Sequence, residues 1–526
     1  VAFRPERWLE GRAEGLPGAC ACEQKRRAGQ QAHATVPGSK VRVRMSLALR
    51  QELPRTALTG FGRSRWADCH VVAVESVEQL AQLFARCRAE RMPLTFRGSG
   101  RSYGDPALLA GGLVVDMTAL SRVSQWDPST GIVEVEPGVT IEQLWRHTLP
   151  DGYWPAVVPG TMRPTLGGCL AMNIHGKNNF RVGSIGDHVL DFDLLTTEGR
   201  LLHCSREDNA DVFHAAISGL GLLGAMVKIR LQEKRVESGL LRVRASTASA
   251  IEGMFEGFER HLPDADYLVG WVDCLARGGA LGRGVIHEAN HLARDEDPLG
   301  SSSLQIKEQV LPNNILGLPK SLLPWLMRPF MNNFGTRLVN AAKYQSARLG
   351  RHDPFYQSHV AFAFLLDHVP GWELAYGPGG LIQFQVFAPA ADAARVFRDV
   401  ISTSLAHGLP AYLGVMKRHR PDPFLLTHSL DGYSLALDYR VTRANRARLQ
   451  TLLRLLIDRV LDCGGKFYFA KDSVLTADDA RRAYGADVLE RFFALKARLD
   501  PDAILESELS RRVFGDMVRE LPGPIG

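Results

Sequence analysis

The sequence predicts an α+β fold in two domains, and three observations carry that prediction. Short runs rich in β-branched residues alternate with helical ones from about residue 69 to 231, and the texture of the chain changes near 236. The length of 526 residues also exceeds what one ordinary core holds.

Taken in order, residues 70–75 read as a strand, 77–90 as an amphipathic helix, and 93–97 as a second strand entering a glycine-rich turn. Strands are expected over 113–117 and 132–135, the second led in by an Asp/Gly turn over 127–131. Thr140 with Gln143 three residues on has capping-box spacing, which starts a helix over 141–148. Beyond 236 the pattern is longer and less regular, and a Gly-rich, charged stretch over 276–297 interrupts it. The run NNILGLPKSLLPWLMRPFMNNF (313–334) places Leu322, Leu323, Trp325, Leu326 and Phe330 either in the core of the second domain or in a mobile lid or membrane-touching segment. A helix over 446–460 gathers Leu449, Leu452, Leu453, Leu456 and Ile457 on one face. Cys463-Gly464-Gly465 stops it, and 466–470 reads as a strand.

Composition is that of a globular protein, with 45% hydrophobic and 23% charged residues. No apolar run reaches the roughly 18 residues needed to span a bilayer. The net charge of +6 is concentrated at one end: residues 1–45 hold nine Lys/Arg against four Glu, five of the six net positive charges. The body is electrically balanced, which removes the main support for nucleic-acid binding. Residues 1–45 lack apolar periodicity and are expected to be a disordered tail, translated from upstream of a start at Met45. They lack the apolar segment of a signal peptide, so cytoplasmic residence, with peripheral membrane contact as an option, is the expectation. The cysteines, Cys20, Cys22, Cys69, Cys87, Cys169, Cys204, Cys274 and Cys463, have no metal-ligand spacing and read as packing residues, with no disulfide framework and no metal.

The run GLGLLG (219–224) satisfies the GxGxxG dinucleotide pattern, but a predicted helix (210–218) precedes it and a strand (225–231) follows. A Rossmann turn needs the reverse order, and that assignment is rejected. The informative segment is RGSGRSYGD (97–105), which follows a strand. Gly98, Gly100 and Gly104 let backbone approach a ligand, and successive amides can form a nest for a pyrophosphate. Alone it suits a structural turn equally well. A second passage, PGTMRPTLGGCLAMNIHGKNN (159–179), brings Gly160, Gly167 and Gly168 and a polar end at His175-Gly176-Lys177, so two loops could grip both ends of a dinucleotide.

These segments, with PGVTIEQL (137–144), GSIGDHV (183–189), LLTTEG (194–199) and SGLGLLG (218–224), resemble the FAD-binding domain of vanillyl-alcohol-oxidase-type flavoenzymes. GRSYGD, IHGKN and a late YFAKD (468–472) are similar to the decaprenylphosphoryl-β-D-ribose 2′-oxidase branch of that superfamily, over about 63–512. The resemblance implies a bipartite, two-lobed FAD domain over 50–237 and 466–526 with an inserted α+β substrate domain over 238–465. It places FAD contacts on Arg97, Gly98, Ser99, Gly100, Arg101, Ser102, Tyr103 and Gly104, then on Gly160, Thr165, Leu166, Gly167 and Gly168, and on Met172, Asn173, His175, Met226 and Tyr468. Arg101 stands where many relatives tether the flavin through a histidine, so FAD is expected to be non-covalent.

Tyr103, His175, Gln383, Gln385, Lys417 and Lys471 fall on substrate-side positions. Hydride removal from a hydroxyl needs a destination for its proton, and Lys471, His175 and Tyr103 are the catalytic candidates. His175 could instead only pack on the flavin, and Lys471 could be a structural ion pair. The implied reaction is oxidation of the 2′-hydroxyl of a polyprenyl-phosphoryl-β-D-ribose to a keto sugar, which a separate reductase carries on to arabinose for cell-wall arabinan. An oxygen-using aldonolactone or alditol oxidase is the alternative, and a non-catalytic flavin- or lipid-binding protein is a third. The resemblance departs at Ala436, where the family has a cysteine that is the target of covalent inhibitors but not needed for the chemistry.

Overall fold

The computed structural model describes residues 53–315, 317–350 and 353–519; the expectations for the tail, the start site, Cys20 and Cys22 lie outside the described residues. The chain is α+β, built on three main sheets. In the first, Trp66–Ala73 and Leu94–Arg97 both run parallel to Leu113–Asp116, with Arg55–Thr59 antiparallel at the outer edge. Parallel strands need a crossover, and helix Val77–Glu90 supplies it, at the bounds expected from its pattern. Ser76 caps its start by accepting from the Gln79 amide, and Leu80, Leu83, Phe84 and Cys87 fill its buried stripe. Arg91 ends it in the left-handed region at φ 50°.

The second sheet is antiparallel, ordered Val123–Asp127, Ile132–Val135, Ala225–Gln232, Val189–Leu195 and Leu201–Ser205. Helix Ile141–Thr148 has both halves of the Thr140/Gln143 capping box. The GLGLLG run does sit between a helix (Ala210–Ala216) and a strand (Ala225–Gln232), in the order that excludes a Rossmann turn.

The third sheet has eight strands and is antiparallel throughout. Its order is Phe355–Ser358, Leu240–Ala248, Gly284–His291, Tyr267–Val272, Leu413–His419, Gly432–Arg440, Leu381–Pro389 and Lys466–Phe467. Gly284–His291 lies inside the stretch expected to interrupt periodicity. Its buried residues include Val285, Ile286 and Ala289, and its place between two strands rather than its own alternation defines it. The strand expected over 466–470 stops at Phe467, because Lys471 and Asp472 amides donate back to the Tyr468 and Phe469 carbonyls and wind 469–471 into a 3-10 turn.

The last residues return to the first sheet. The Leu94 amide donates to the Ile504 carbonyl at 2.7 Å and the Glu506 amide to the Leu94 carbonyl at 2.9 Å, so residues 504–506 line the edge of Leu94–Arg97. The core reading of 313–334 is corrected: Leu322, Trp325, Leu326 and Phe330 are exposed and Leu323 is half-buried, in short helical turns at the surface. Six cysteines among the described residues are free thiols, five of them buried, as packing residues would be. Among the described residues no helix is long and apolar enough to cross a membrane, and no group of three or more His, Cys, Asp or Glu could hold a metal ion.

Candidate active site

Two glycine loops from different sheets are fastened together and form one wall of a large cleft. Its volume is about 1560 Å³, open solvent included. The 98–103 loop is held from both sides: the Phe61 and Gly62 amides donate to the Ser102 and Tyr103 carbonyls, and the Tyr103 amide donates to Ala470. Gly98 rests on the second loop so closely that a Cβ there would come within 2.0 Å of Thr165 Oγ1. Ser99 Oγ donates to the Arg163 carbonyl at 2.7 Å, a second tie between the loops.

Of the cofactor positions inferred from sequence, Gly98, Ser99, Gly100, Arg101, Ser102, Tyr103, Gly160, Thr165, Gly167, Gly168, Met172, His175, Met226 and Tyr468 line the cleft. Lys417 and Lys471 line it too. Arg97, Gly104, Leu166 and Asn173 do not, and each has a packing task behind the wall; Leu166 is buried in the core, its amide donating to the Val139 carbonyl. Arg97 donates to the Thr59 and Ala107 carbonyls. Gly104 abuts the Asp472 carbonyl, where a Cβ would come to 1.8 Å. Asn173, at φ 44°, donates to Asp422 and accepts from the Gly186 amide. The rejected GLGLLG run also contributes wall through Leu220, Gly221, Leu223 and Gly224, with Gly221 at φ 73°.

Gln383 and Gln385 stand one layer back, on the third sheet. Strand alternation puts Gln383 and Gln385 of Leu381–Pro389, Ser434, Ala436 and Asp438 of Gly432–Arg440, and Lys417 and His419 of Leu413–His419 on one face. Gln385 pairs across from Ala436, Gln383 from Asp438, and Lys417 from Ser434. Sequence reasoning missed His419, His428, Ser434 and Asp438 in this layer. The available signal was polar residues two apart inside otherwise apolar strands.

The layer forms a connected hydrogen-bond network around His175. Lys417 Nζ is 3.3 Å from His175 Nδ1, and Gln385 Nε2 is 3.1 Å from His175 Nε2. Gln385 also donates to Ser434 Oγ at 3.0 Å, and His419 Nε2 is 2.8 Å from the same hydroxyl. Burial, then the charge of Lys417, holds the His175 imidazole well below its usual range, and His419 follows for the same leading cause. Burial pushes His428 down to about 3. All three imidazoles are neutral at pH 7.

Asp438 anchors the other end. It accepts from Gln383 Nε2 at 2.6 Å and Tyr376 Oη at 3.3 Å, and burial pushes it up to about 6 despite those bonds and Lys471. Burial pushes Lys471 down to about 8, with Asp438 opposing. Lys471 Nζ lies 5.9 Å from the centre of the Tyr103 ring, and burial drives the Tyr103 phenol well above its usual range. The site therefore offers an amine whose neutral form is accessible near neutral pH, beside neutral imidazoles and a phenol that stays protonated.

The cleft suits a dinucleotide. The paired glycine loops and the apolar wall of Ala171, Met172, Leu220 and Met226 suit one, and Arg101 lines the cleft with a buried Nε that has no protein partner among the described residues. Residues 69–205 match the family model described as an FAD binding domain. The chain is an FAD-dependent oxidoreductase. It is similar to decaprenylphosphoryl-beta-D-ribose oxidase of Mycolicibacterium smegmatis, at 29% identity over 469 residues, 88% of this chain and 98% of that protein. A putative D-arabinono-1,4-lactone oxidase of Neurospora crassa is 22% identical over 91% of this chain and 90% of its own length. Cytokinin dehydrogenase 7 of Oryza sativa subsp. japonica is 32% identical over 37% of this chain and 39% of that protein.

Proposed function

We propose that this enzyme oxidises a secondary hydroxyl of a sugar, the 2′-hydroxyl of a polyprenyl-phosphoryl-β-D-ribose, to a keto sugar that a separate reductase then carries to the arabinose epimer. The observation that carries this reading is the polar cluster at the cleft wall: His175, Lys417, Lys471 and Tyr468 line it, with Gln385 of the third sheet bonded to His175 from behind. Lys417, in the cleft wall, offers donors to a phosphorylated sugar, and the glutamine amides behind it hold the network in place. The similarity to an oxidase of a decaprenylphosphoryl ribose, over nearly its whole length, supports the same substrate class.

FAD bound in the cleft would supply a hydride acceptor. Gly98 to Tyr103, Gly160, Thr165, Gly167, Gly168, Met172, Met226 and Tyr468 would hold it, and Arg101 at the tethering position would leave it without a covalent bond. Lys471, part neutral near its pKa of about 8, takes the hydroxyl proton as hydride leaves. His175, kept neutral and occupied at both nitrogens, positions the Lys417 amine and the Gln385 amide. The domain plan that goes with this reading is a two-lobed FAD domain over 50–237 and 466–526 around a substrate domain over 238–465, supported by the return of 504–506 to Leu94.

The test is anaerobic flavin bleaching. A short-chain polyprenyl-phosphoryl-β-D-ribose should bleach the yellow holoenzyme. Bleaching by D-arabinono-1,4-lactone and not by the ribose lipid would assign the enzyme to the lactone oxidases, which the Neurospora similarity favours. No response to any sugar would leave a binding protein. Acid precipitation should release the flavin to the supernatant; yellow retained in the pellet refutes the non-covalent assignment.

A further inference from the structure

We infer that the face formed by residues 318–349 docks onto the surface of an anionic lipid bilayer. Helix Asn333–Leu349 is inverted for a water-facing helix. It buries Gly335, Thr336, Asn340 and Tyr344 and exposes Phe334, Leu338 and Leu349, at 79%, 58% and 81%. Specific contacts fix that orientation. Asn340 Nδ2 donates to Asp273 Oδ1 at 3.0 Å, Thr336 Oγ1 donates to the Phe330 carbonyl at 3.1 Å, and the Arg283 guanidinium sits 4.6 Å over the Tyr344 ring.

Beside it, the short helix Leu323–Met327 and the turn that follows expose Trp325, Leu326 and Phe330 by half or more. One side of the molecule thus presents large apolar groups, a patch of the kind that marks an interaction surface.

Charge selects the occupant. Between Glu308 and Asp353 there is no acidic residue, while Lys320, Arg328, Arg337, Lys343, Arg348 and Arg351 are all basic. Lys343 is spent on the Trp271 ring, but Arg337 and Arg348 are exposed among the apolar groups. Apolar side chains interleaved with uncompensated cations match an interface of acyl chains under anionic headgroups. A self-associating face would meet its own positive charge.

The patch adjoins the cleft. Met331 packs in one cluster with Tyr103, Trp372 and Tyr376, and Tyr103 is cleft wall. On the proposed substrate, docking would bring the cleft to where a polyprenyl chain resides; the docking itself does not depend on that substrate.

Flotation of FAD-loaded protein with vesicles tests this directly. It should float with phosphatidylcholine vesicles containing about 30% phosphatidylglycerol, and bind pure phosphatidylcholine about tenfold less. Raising salt to about 0.5 M should weaken the anionic binding. The double substitution Trp325→Ser with Phe330→Ser, and separately Arg337→Glu with Arg348→Glu, should each cut partitioning by about tenfold while leaving the flavin absorption spectrum unchanged. Failure to float on the anionic vesicles, or flotation indifferent to both double variants, overturns the inference. So does a two-chain mass by light scattering that drops to one chain in the Trp325/Phe330 variant, which would assign the face to a second copy. Bleaching by ribose lipid reports separately on the substrate.

Discussion

Arg512→Met should be among the most damaging single substitutions outside the cleft. The guanidinium reaches Asp105 Oδ1 at 2.8 Å and Oδ2 at 3.2 Å through Nη2 and Nε, and Asp472 Oδ2 at 2.9 Å through Nη1. Both carboxylates are buried, and removing the cation leaves Asp472 with only the Val474 and Leu475 amides and Asp105 with only Arg65, 3.6 Å away. Breaking a buried pair this way costs about 3–5 kcal/mol, well above what exposed pairs contribute. Asp105 ends the first glycine loop and Asp472 follows Lys471, so the loss falls on the cleft as well as on the fold. Any part that appears as loop disorder weakens FAD binding tenfold for each ~1.4 kcal/mol. Urea titration followed by far-ultraviolet dichroism reads the stability, and fluorescence of released FAD on dilution reads the affinity. Arg512→Lys should recover part of both, because one ammonium cannot span two carboxylates as a guanidinium fork does. An unchanged unfolding midpoint together with unchanged FAD affinity in Arg512→Met would refute the clamp.

Lys471→Met should cut turnover by about a hundredfold or more and, at pH 7, raise stability. The displacement of the amine from 10.5 to about 8 corresponds to about 3 kcal/mol, which water in the cleft reduces to roughly 1–3 kcal/mol. The sign follows from proton binding: between pH 8 and 10.5 the unfolded chain holds the proton that the folded one has lost. The native amine's contribution therefore rises with pH across that window, and the stability difference between variant and native protein should shrink from pH 8 to 10 in parallel chemical denaturations. In native enzyme kcat/KM should climb through about pH 8; a flat profile argues that Lys471 is not the base. Gly98→Ala should empty the cleft of flavin while leaving most secondary structure, since its methyl overlaps Thr165 Oγ1; yellow protein at normal FAD affinity would contradict the close approach of the loops. Ala436→Cys should gain inactivation by thiol reagents that the native enzyme resists. Burial pushes the Cys169 thiol, the one cysteine in the cleft wall among the described residues, up and out of the reactive range.

Local structure was legible in the sequence where short-range rules decide it. Helix Val77–Glu90 and the capping box at Thr140 follow from spacing within one or two turns, and so does the order of elements around GLGLLG. The loop residues were readable because glycine has few other reasons to cluster. His419, Ser434 and Asp438 were not, because a polar residue in an apolar strand declares neither its neighbours nor its facing side. Their meaning comes from a register that joins strands separated by tens of residues. KFYFA looks like a strand by composition, yet only Lys466 and Phe467 find partners, opposite Phe387 and Val386. Helix Asn333–Leu349 was hidden for another reason: its apolar residues face outward, so a search for a buried stripe finds the wrong face.

The return of the chain to Leu94 has a consequence for synthesis. A nascent chain carries both glycine loops once some 180 residues have emerged, but the groups that complete the cleft, Tyr468 and Lys471, and the Arg512 that locks it, come from the last part of the chain. Until then Asp105 has Arg65 as a cation but not the closer Arg512, and the edge of Leu94–Arg97 lacks the cover of 504–506. Such long sequence separations slow folding and leave apolar surface open to other chains. Flavin should therefore enter only once residues 468–512 have been made, and the yield of yellow protein should depend more on chaperone supply during synthesis than on free FAD.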